Sequence, residues 1–432
     1  MYEFNKIAII GLGYVGLPLC IRFAEAGISV IGLDVDVDKT VKINDGKSYI
    51  NHISEEHIKS ALETGRLEAS TEFNRISEVQ VVIICVPTPL NKHREPDISY
   101  VLDSGSQIGK FITRNTLVVL ESTTYPGTTD TDLRTVIETE SKFTAGKDFF
   151  LAYSPEREDP GRKDHSVQTI PKVVGGYTEE CRNRCVDLYS RALDKIFAVS
   201  TCRVAEATKL TENIFRSVNI ALVNELKLVF QKMNIDIWEV IDAASSKPFG
   251  YMPFYPGPGL GGHCIPIDPF YLTWKAREYG MHTRFIELAG EMNDSMMDHT
   301  VNKTAEALNY KSKAVMGSRI LVLGLAYKSD VDDMRESPSF GLLDRLRSRG
   351  ATLDYYDPYI PTIGKTREHE IWQGMKSVYW NEEQISSYDA VLIATKHSCV
   401  DYKQLAEWCN CIIDSRNAMK GIATKENQVT TC

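Results

Sequence analysis

The sequence predicts an α/β protein with two doubly wound parallel-sheet domains that are joined by a long central helix. Short apolar runs typical of buried strands alternate with helical patterns near both ends of the chain. A strand, a glycine turn and a helix open the sequence, and residues 318–327 repeat that order in part. Between these regions, residues 204–233 contain neither proline nor glycine. We therefore expect Rossmann-like domains at residues 1–200 and 301–432, and a central helical domain at residues 201–300.

The composition excludes several classes of protein. The 432 residues are 43% hydrophobic and 25% charged, which is enough apolar material for buried cores. The formal net charge of -9 argues against a nucleic-acid partner. The ten cysteines lack the spacing of a disulfide framework or a zinc site, so we expect a reduced, cytoplasmic setting and no bound metal. No apolar run is long enough to span a bilayer, so membrane insertion is not expected.

A glycine turn follows the first strand. The aliphatic run at residues 6–10 leads directly into Gly11, Gly13 and Gly16, and a helical pattern continues from there. In a dinucleotide site the first glycine permits the tight turn, the second admits the pyrophosphate, and the third lets the helix pack on the strand. The second strand ends in Asp34, an acid suited to hold an adenosine ribose, which favours NAD over NADP. The expected NAD contacts here are Gly11, Gly13, Tyr14, Val15, Gly16 and Asp34.

Three later strands of the same sheet also end in polar residues. They are the apolar runs at residues 81–86, 117–120 and 149–153. Ligands of such sheets bind beyond the carboxyl ends of the strands. The residues expected around one crevice are Val86, Pro87, Thr88, Ser122, Thr123 and Glu156. Each hydroxyl has an alternative role as the cap of a turn or a helix.

The central helix is predicted at residues 204–233. Lys209 and Asn213 are four residues apart and share one face, whereas Glu206 and Glu212 are expected elsewhere on the surface. If burial lowers its pKa, Lys209 can act as a base or can donate to an oxyanion. The alternative is that Lys209 is an ordinary solvated lysine.

Residues 254–268 read F-Y-P-G-P-G-L-G-G-H-C-I-P-I-D, with four glycines and three prolines, and predict a shaped loop. Cys264 lies in this loop and is a candidate covalent nucleophile, and Asp268 follows four residues later. A cation such as Lys209 nearby would make the thiol easier to ionise. The alternative is a surface turn that happens to contain a cysteine.

The last third repeats the strand and the first glycine, Gly324, but not the second and third glycines, so a pyrophosphate turn is not predicted there. Lys328 and Arg335 instead offer cationic partners for another phosphate-bearing ligand. The alternative is that Arg335 and Arg416 are surface ion-pair partners. Further parallel strands are expected at residues 352–356, 390–394 and 411–414.

Taken together, these motifs closely resemble the UDP-glucose/GDP-mannose dehydrogenase family over essentially the whole chain. The matching runs are GLGYVGLP at 11–18, VPTP at 86–89, ESTTYPGTT at 121–129, SPE at 154–156, KLTEN at 209–213, GGHCIPID at 261–268 and YKSDVDDMRESPS at 327–339. The G-G-H-C run is similar to the branch that acts on UDP-N-acetylhexosamines. The longer run at residues 243–269 resembles bacterial UDP-N-acetylglucosamine 6-dehydrogenases of surface-polysaccharide synthesis, including lipopolysaccharide and O-antigen.

The resemblance implies that a C6 hydroxyl is oxidised to a carboxylate in two NAD-dependent steps, through a thiohemiacetal and a thioester on Cys264. It implies that the catalytic residues are Cys264, Lys209, Asn213, Asp268, Glu156 and Thr123. It implies that the UDP-sugar is bound by Glu156, Arg157, Lys209, Asn213, Phe254, Tyr255, Gly261, Lys328 and Arg335. A homodimer or higher homo-oligomer is expected, with the central helix in its interface.

One position departs from the family pattern. UDP-glucose enzymes carry a second glutamate four residues after the SPE glutamate, and this chain has Pro160 there. Roles that depend on the second acid therefore do not transfer, and Arg157 is expected to help define the sugar pocket instead.

Three alternatives remain for the function. The first is the oxidation of UDP-N-acetylmannosamine or another UDP-hexosamine, because the sequence does not show the shape of the sugar pocket. The second is a nucleotide-binding protein without catalysis, and the third is a two-electron alcohol dehydrogenase that produces one NADH per sugar.

Overall fold

The computed structural model describes residues 2–50, 53–91, 94–157, 169–262, 265–366 and 368–432. The chain forms two compact units. The first comprises Met1–Glu212 and Phe270–His282, and the second comprises Asn213–Pro269 and Thr283–Cys432. The domain boundaries near residues 200 and 300 were expected from sequence motifs, whereas the two units are defined by contacts between residues. The expected boundaries therefore stay a prediction.

The first unit contains a sheet whose strand order, over the described residues, is β3-β2-β1-β4-β5-β6-β7-β8. The strands are β1 Lys6–Ile10, β2 Ser29–Leu33, β3 Leu67–Ser70, β4 Val81–Ile84, β5 Leu117–Leu120, β6 Phe150–Tyr153, β7 Lys172–Gly176 and β8 Ile196–Ala198. Every residue of β4, β5 and β6 is buried, as expected for parallel strands that are covered on both faces. The reversal of strand order on either side of β1 is typical of a doubly wound fold and places a ligand crevice at the carboxyl ends of β1 and β4.

Helices cover both faces of this sheet. They are α1 Gly16–Glu25, α2 Val37–Asn44, α3 Glu55–Glu63, α4 Ser99–Phe111, α5 Arg134–Ser141 and α6 Glu179–Ser190. A 3-10 helix covers Phe73–Glu78, and a π-helix covers Thr128–Leu133. The two faces carry separate apolar clusters, one that includes Leu17 and Tyr189 and one that includes Ile108 and Leu133. The predicted α/β class and doubly wound sheet are confirmed.

Part of this sheet departs from the sequence expectation. β7 pairs antiparallel with β6, at Ala152 with Gly176 and Tyr153 with Gly175, whereas the other paired strands run parallel. β3, β7 and β8 were not predicted. β8 is a three-residue strand with two exposed residues, so it lacks the continuous apolar run that marks a central strand.

The second unit contains a parallel sheet with the order β10-β9-β11-β12-β13 over the described residues. The strands are β9 Arg319–Leu323, β10 Thr352–Tyr356, β11 Ala390–Ile393, β12 Ile412–Asp414 and β13 Val429–Thr431. The helices that lie wholly in this unit are α8 Ile237–Ser245, α10 Arg284–Tyr310, α11 Pro338–Ser348, α12 Glu382–Ser386 and α13 Tyr402–Trp408, and a 3-10 helix covers Glu370–Trp372. Its sheet is the second parallel sheet that the sequence predicts, with apolar clusters on both faces.

Two helices cross the boundary between the units along the chain. α7 spans Cys202–Lys232, close to the predicted 204–233, and is 31 residues long. α9 spans Asp268–Glu278 and begins at the last residues of the cysteine loop. No helix among the described residues combines the length and apolar character needed to cross a bilayer.

Candidate functional site

The glycine turn of the first unit has the geometry that its sequence predicts. Gly11 has φ +92°, which favours glycine, and its N–H donates to Leu33 O at 2.8 Å. A Cβ on Gly16 would lie 1.8 Å from Gly11 O, so the first turn of α1 can pack against the strand only without a side chain there. A Cβ on Gly13 would meet nothing within 4 Å. The space beside Gly13 therefore fits a ligand group such as a pyrophosphate.

Asp34 follows β2 and is 6% exposed. Its carboxylate accepts hydrogen bonds from Leu12 N at 2.8 Å, Asp36 N at 3.0 Å and Lys39 Nζ at 3.1 Å. A carboxylate has about four acceptor positions, so one remains for a ribose hydroxyl. Tyr14 and Val15, the other predicted contacts in this turn, are half-buried immediately before α1.

The loops after β4 and β5 are tied to each other by hydroxyl groups. Thr88 Oγ1 donates to Thr123 O at 2.7 Å, and Ser122 Oγ donates to Val86 O at 2.7 Å. Tyr271, in α9, donates a hydrogen bond from Oη to Thr88 O and so connects the loop after β4 to α9. These two hydroxyls therefore hold the loops to each other, and the expected contacts of Thr88 and Ser122 with NAD stay a prediction. Pro87, which lies between Val86 and Thr88 in sequence, is exposed.

Lys209 and Glu156 lie together in the first unit. Lys209 is 5% exposed, so it is not the solvated lysine of the alternative. Its Nζ donates to Glu156 O at 2.5 Å and lies 3.5 Å from Glu156 Oε2. Burial raises the pKa of Glu156, and the nearby Lys209 and Lys172 ammonium groups act against that rise. A buried carboxyl group whose pKa is raised, next to a lysine side chain, is an arrangement that can exchange a proton with a bound substrate.

A buried ion pair that the sequence analysis missed lies behind Glu156. Lys172 Nζ, in β7, donates to Glu121 Oε2 at 2.7 Å, and Tyr189 Oη donates to Glu121 Oε1. A cavity on this side of the sheet is lined by Val15, Leu19, Glu121, Glu156, Arg157, Ile170, Pro171, Lys172 and Leu193. The sequence offers a signal for Glu121, which begins the ESTT run after a predicted strand. It offers no such local signal for Lys172.

Arg157 was expected to help define the sugar pocket, and its guanidinium is already engaged within the first unit. Its Nη2 lies 2.5 Å from Glu212 Oε1, and its Nη1 donates to Pro171 O at 2.6 Å. Arg157 therefore ties the segment after β6 to α7.

The expectation that Glu206 lies on the surface is wrong, since this residue is 0% exposed. Its carboxylate accepts hydrogen bonds from Gly127 N at 2.7 Å, Thr129 N at 2.9 Å and Thr129 Oγ1 at 2.6 Å. Burial raises the pKa of Glu206 to about 7, although these donors oppose the rise. Glu206 thus caps the π-helix at Thr128–Leu133 and joins it to α7, a contact between distant segments that spacing along one helix cannot reveal.

In the second unit, Asn213 and Asp268 are in direct contact. Asn213 Nδ2 donates to Asp268 Oδ2 at 2.6 Å, and the two residues are 5% and 2% exposed. Asp268 is the last residue of the cysteine loop and the first residue of α9. Cys264 itself lies outside the described residues.

Residues 254–262 and 265–267 of the loop contain no helix or strand, as predicted, and α9 begins at Asp268. The Phe254 ring packs edge-on against the Phe215 ring, with 5.7 Å between the ring centres. The Tyr255 ring stacks on the Trp238 ring, with 5.6 Å between the ring centres. A Cβ on Gly261 would lie 2.8 Å from atoms of Tyr327 and of Pro338, so these two residues leave no room for a side chain there. The loop is thus closely packed at this point.

The cations of the second unit are in different surroundings. Arg335 makes a bidentate contact with Asp333, with Nη2 to Oδ2 at 2.6 Å and Nε to Oδ1 at 2.9 Å, so the ion-pair alternative holds for it. Lys328 Nζ lies 5.5 Å from the centre of the Tyr327 ring. Arg416, for which a surface ion pair was the alternative, donates from Nε to Ala394 O at 2.8 Å and packs against Gly257. Burial lowers the pKa of Arg416 to about 10.

The fold and the glycine turn define the first unit as a dinucleotide-binding domain. Residues 5–193 match the NAD binding domain of the UDP-glucose/GDP-mannose dehydrogenase family, residues 203–295 match its central domain, and residues 321–421 match its UDP binding domain. The chain therefore belongs to this family, and it is an NAD-dependent UDP-sugar dehydrogenase, an oxidoreductase.

Individual relatives carry different substrate names. A UDP-N-acetyl-D-glucosamine 6-dehydrogenase of Salmonella typhi is 34% identical over 401 residues, which cover 93% of this chain and 91% of the relative. A UDP-N-acetyl-D-mannosamine dehydrogenase of Pyrococcus horikoshii is 33% identical over 422 residues, 96% of each chain. The solved structure of a UDP-D-ManNAc dehydrogenase from the same organism superposes with a TM-score of 0.89 at 32% identity and covers 99% of this chain and 98% of its own.

Proposed function

We propose that this protein oxidises the C6 hydroxyl of UDP-N-acetylglucosamine to the carboxylate of UDP-N-acetylglucosaminuronic acid. The observation that carries this proposal is the buried pair of Lys209 and Glu156 in the unit that binds NAD. Two successive oxidations and one hydrolysis balance the reaction: one alcohol, two NAD and one water give one carboxylate, two NADH and three protons. Bound NAD accepts the hydride in each oxidation.

The first oxidation converts the alcohol to an aldehyde and releases one proton. Lys209 and Glu156 would move that proton, because a buried amine and a carboxyl group with a raised pKa lie within reach of each other. The Cys264 thiol would then add to the aldehyde carbon, with its proton passing to the aldehyde oxygen, to form a thiohemiacetal. Lys209 and Asn213 would stabilise the charge on that oxygen.

The second oxidation converts the thiohemiacetal to a thioester, and water then breaks the carbon–sulfur bond to release the acid and the thiol. Asp268, which accepts a hydrogen bond from Asn213, would position this water together with Thr123. A carboxylate held by the Asn213 amide is oriented to accept a proton from water as it attacks. Covalent capture keeps the aldehyde on the protein between the two oxidations.

The UDP-sugar would be bound by residues of the second unit together with Glu156, Arg157 and Lys209. We assign these second-unit contacts to Asn213, Phe254, Tyr255, Gly261, Lys328 and Arg335, and add Arg416 because its guanidinium lies against Gly257 of the loop. The corresponding functional segments would be residues 1–200 for NAD, 201–300 for the catalytic loop and the subunit interface, and 301–432 for the UDP-sugar.

The identity of the sugar rests on the G-G-H-C run and its longer flanks, and the pathway proposed for the product is surface-polysaccharide synthesis. UDP-N-acetylmannosamine is the second candidate, because relatives of comparable identity carry that substrate in their names. The two sugars differ only at C2, so a small difference in the pocket distinguishes them.

The experiment is to supply the purified protein with NAD and one UDP-sugar at a time, and to measure NADH and the mass of the product. We expect two NADH per molecule of UDP-N-acetylglucosamine and a product that carries a carboxylate. One NADH per sugar, with an aldehyde as product, would instead identify a two-electron dehydrogenase. Preferential turnover of UDP-N-acetylmannosamine would favour the second candidate, and no turnover of any UDP-hexosamine would contradict the proposal.

A homodimer is proposed from an apolar stripe on α7. Phe215, Leu222 and Val229 are spaced by seven residues and are 50%, 50% and 48% exposed. Side chains seven residues apart lie on one helix face, and exposed apolar faces of this kind mark subunit contacts. A second copy of the same chain would cover the stripe. The cytoplasm is proposed as the location because the nine cysteines among the described residues are free thiols.

A further inference from the structure

Two buried amides meet at the beginning of the cysteine loop. Asn224 on α7 and Asn293 on α10 are 0% and 1% exposed. Asn224 Nδ2 donates to Asn293 Oδ1 at 2.9 Å, and Asn224 Oδ1 accepts from Gly257 N at 3.0 Å. Asn293 Nδ2 in turn donates to Ser217 O at 3.2 Å. This chain of hydrogen bonds connects two helices of the second unit to the backbone of the loop, and its residues are buried.

Gly257 has little freedom to move at this contact. A Cβ at Gly257 would lie 2.3 Å from Arg416 Nη1, so the guanidinium occupies the space beside the loop backbone. Arg416 is itself held by its bond from Nε to Ala394 O at 2.8 Å. The backbone of Gly257 is therefore bound on one side by Asn224 and is packed on the other side by Arg416.

The loop is also held at its far end. Asp268 accepts from Asn213 Nδ2 at 2.6 Å, and between these points Gly262 N donates to Arg335 O at 3.3 Å. Asn213 and Asn224 are eleven positions apart on α7, which is about three helical turns, so both lie on one face of the helix. Two described residues near the ends of the loop, Gly257 and Asp268, are thus each bound by an asparagine on this face of α7.

From this geometry we propose that Asn224 and Asn293 are positioning residues for the covalent step, because they hold the Gly257 backbone of the loop whose cysteine, Cys264, would capture the aldehyde. The inference rests on the proposed function, since it requires that Cys264 is the nucleophile. Displacing reacting groups by about 1 Å can reduce a rate by about a hundredfold. The first oxidation does not use the thiol and the second does, so loosening the loop should affect them unequally. The aldehyde should then escape before it is captured.

The test uses Asn224→Leu, which removes the acceptor for Gly257 N, and Asn293→Ser, a smaller change that removes the acceptor for Asn224. Asn302→Leu is the control, because Asn302 lies on the same helix as Asn293 but is exposed, and its side chain accepts a hydrogen bond from Arg349 Nη2 at 2.8 Å. Each protein is supplied with NAD, UDP-N-acetylglucosamine and semicarbazide, which traps free aldehyde. NADH, uronic acid and the semicarbazone are measured, together with the Kd for NADH.

We expect two NADH per acid and no semicarbazone for the unchanged protein and for Asn302→Leu. Asn224→Leu and Asn293→Ser should give more than two NADH per acid, should accumulate semicarbazone, and should form acid at least about tenfold more slowly. Their Kd for NADH should stay within about twofold, because NAD is bound by the first unit. A merely structural role would not separate the two oxidations in this way.

The inference is overturned if both variants keep two NADH per acid and form acid within twofold of Asn302→Leu. It is also overturned if both variants lose the two oxidations equally along with NADH binding, because that result indicates general unfolding. If the unchanged protein yields one NADH per sugar, the proposed function fails first, and this outcome is recognised without any variant.

Discussion

The amide of Asn213 donates a hydrogen bond to the carboxylate of Asp268 over 2.6 Å, between two residues that are almost completely buried. A buried carboxylate is costly to leave without its donors, and hydrogen bonds to charged groups contribute about 1.5–3 kcal/mol. The contact also brings the end of the cysteine loop to the central helix within one compact unit. It is thus both a structural and a catalytic candidate.

Asn213→Ala should therefore lower the thermal midpoint, by the equivalent of about 1.5–3 kcal/mol, and reduce the rate of acid formation more than tenfold. Calorimetry and steady-state assays measure the two effects. Asn309→Ala, at an exposed position of α10, serves as the control. Equal midpoints and equal rates for the two variants would show that the Asn213 contact is dispensable.

Cys264→Ser should abolish the formation of acid, to less than about 1% of the original rate, while the Kd for the UDP-sugar changes little. A serine hydroxyl is a far weaker nucleophile than a thiol at neutral pH unless a base activates it. Mass analysis of the products and titration calorimetry check the two statements. Cys399→Ser, at the exposed cysteine, should behave as the unchanged protein. Normal acid formation by Cys264→Ser would rule out the thioester route.

Gly13 and Gly16 should respond differently to an added side chain. Gly13→Val places its Cβ in open space, so the thermal midpoint should stay within a few degrees while the KM for NAD rises at least about tenfold. Gly16→Ala places a Cβ 1.8 Å from Gly11 O and should destabilise the first unit by more than about 2 kcal/mol. Thermal scans and NAD titrations distinguish the two. If Gly13→Val bound NAD normally, the pyrophosphate could not lie against this residue.

Glu206 should make stability depend on pH. Its folded pKa is raised from 4.5 to about 7 by burial, so the folded protein holds a proton that the unfolded chain releases between these values. The associated stabilisation, about 3 kcal/mol, is fully present below the unfolded pKa and is lost as the pH rises through 7. Glu206→Gln lacks this titration.

The measurement for Glu206 is the thermal midpoint of the unchanged protein and of Glu206→Gln at pH 5 and pH 8. The unchanged protein should gain relative to the variant at pH 5 and lose relative to it at pH 8. Glu225→Gln, at an exposed position of α7, should show no such change. A constant difference between the unchanged protein and Glu206→Gln would mean that Glu206 does not titrate in this range.

Leu222→Asp should dissociate the proposed dimer. A charge in the centre of an apolar contact loses its hydration without gaining a partner. Light scattering during gel filtration should give the mass of two chains for the unchanged protein and of one chain for the variant. Tyr379→Asp, at another exposed apolar residue outside the stripe, is the control. A dimer that persists in Leu222→Asp would place the subunit contact elsewhere.

The sequence was most informative where local rules are strong. β10 was predicted with its observed bounds, and α7 was predicted to within two residues at its start and one at its end. The glycine turn was also predicted, because a tight turn, a phosphate approach and a close helix contact each require glycine at a defined spacing. These features depend on residues that are neighbours along the chain.

Other features depend on residues far apart in the sequence. Glu206 resembled a surface residue of a helix, but it binds residues 127–129, and Lys172 became notable only because β7 brings it to Glu121. The antiparallel pairing of β6 and β7 was also missed, since a short apolar run does not reveal the direction of its partner.

The sequence by itself determined the α/β class, the two sheets, the central helix and the glycine turn, because the periodicity of apolar residues and the backbone demands of glycine are local properties. Only the tertiary structure decided which polar groups are buried and what they bind. Asn224 and Asn293 are the clearest case, since 69 residues separate them along the chain. The physical reason is that burial and hydrogen bonding are set by the packing of distant segments, and no local pattern encodes which segments will meet.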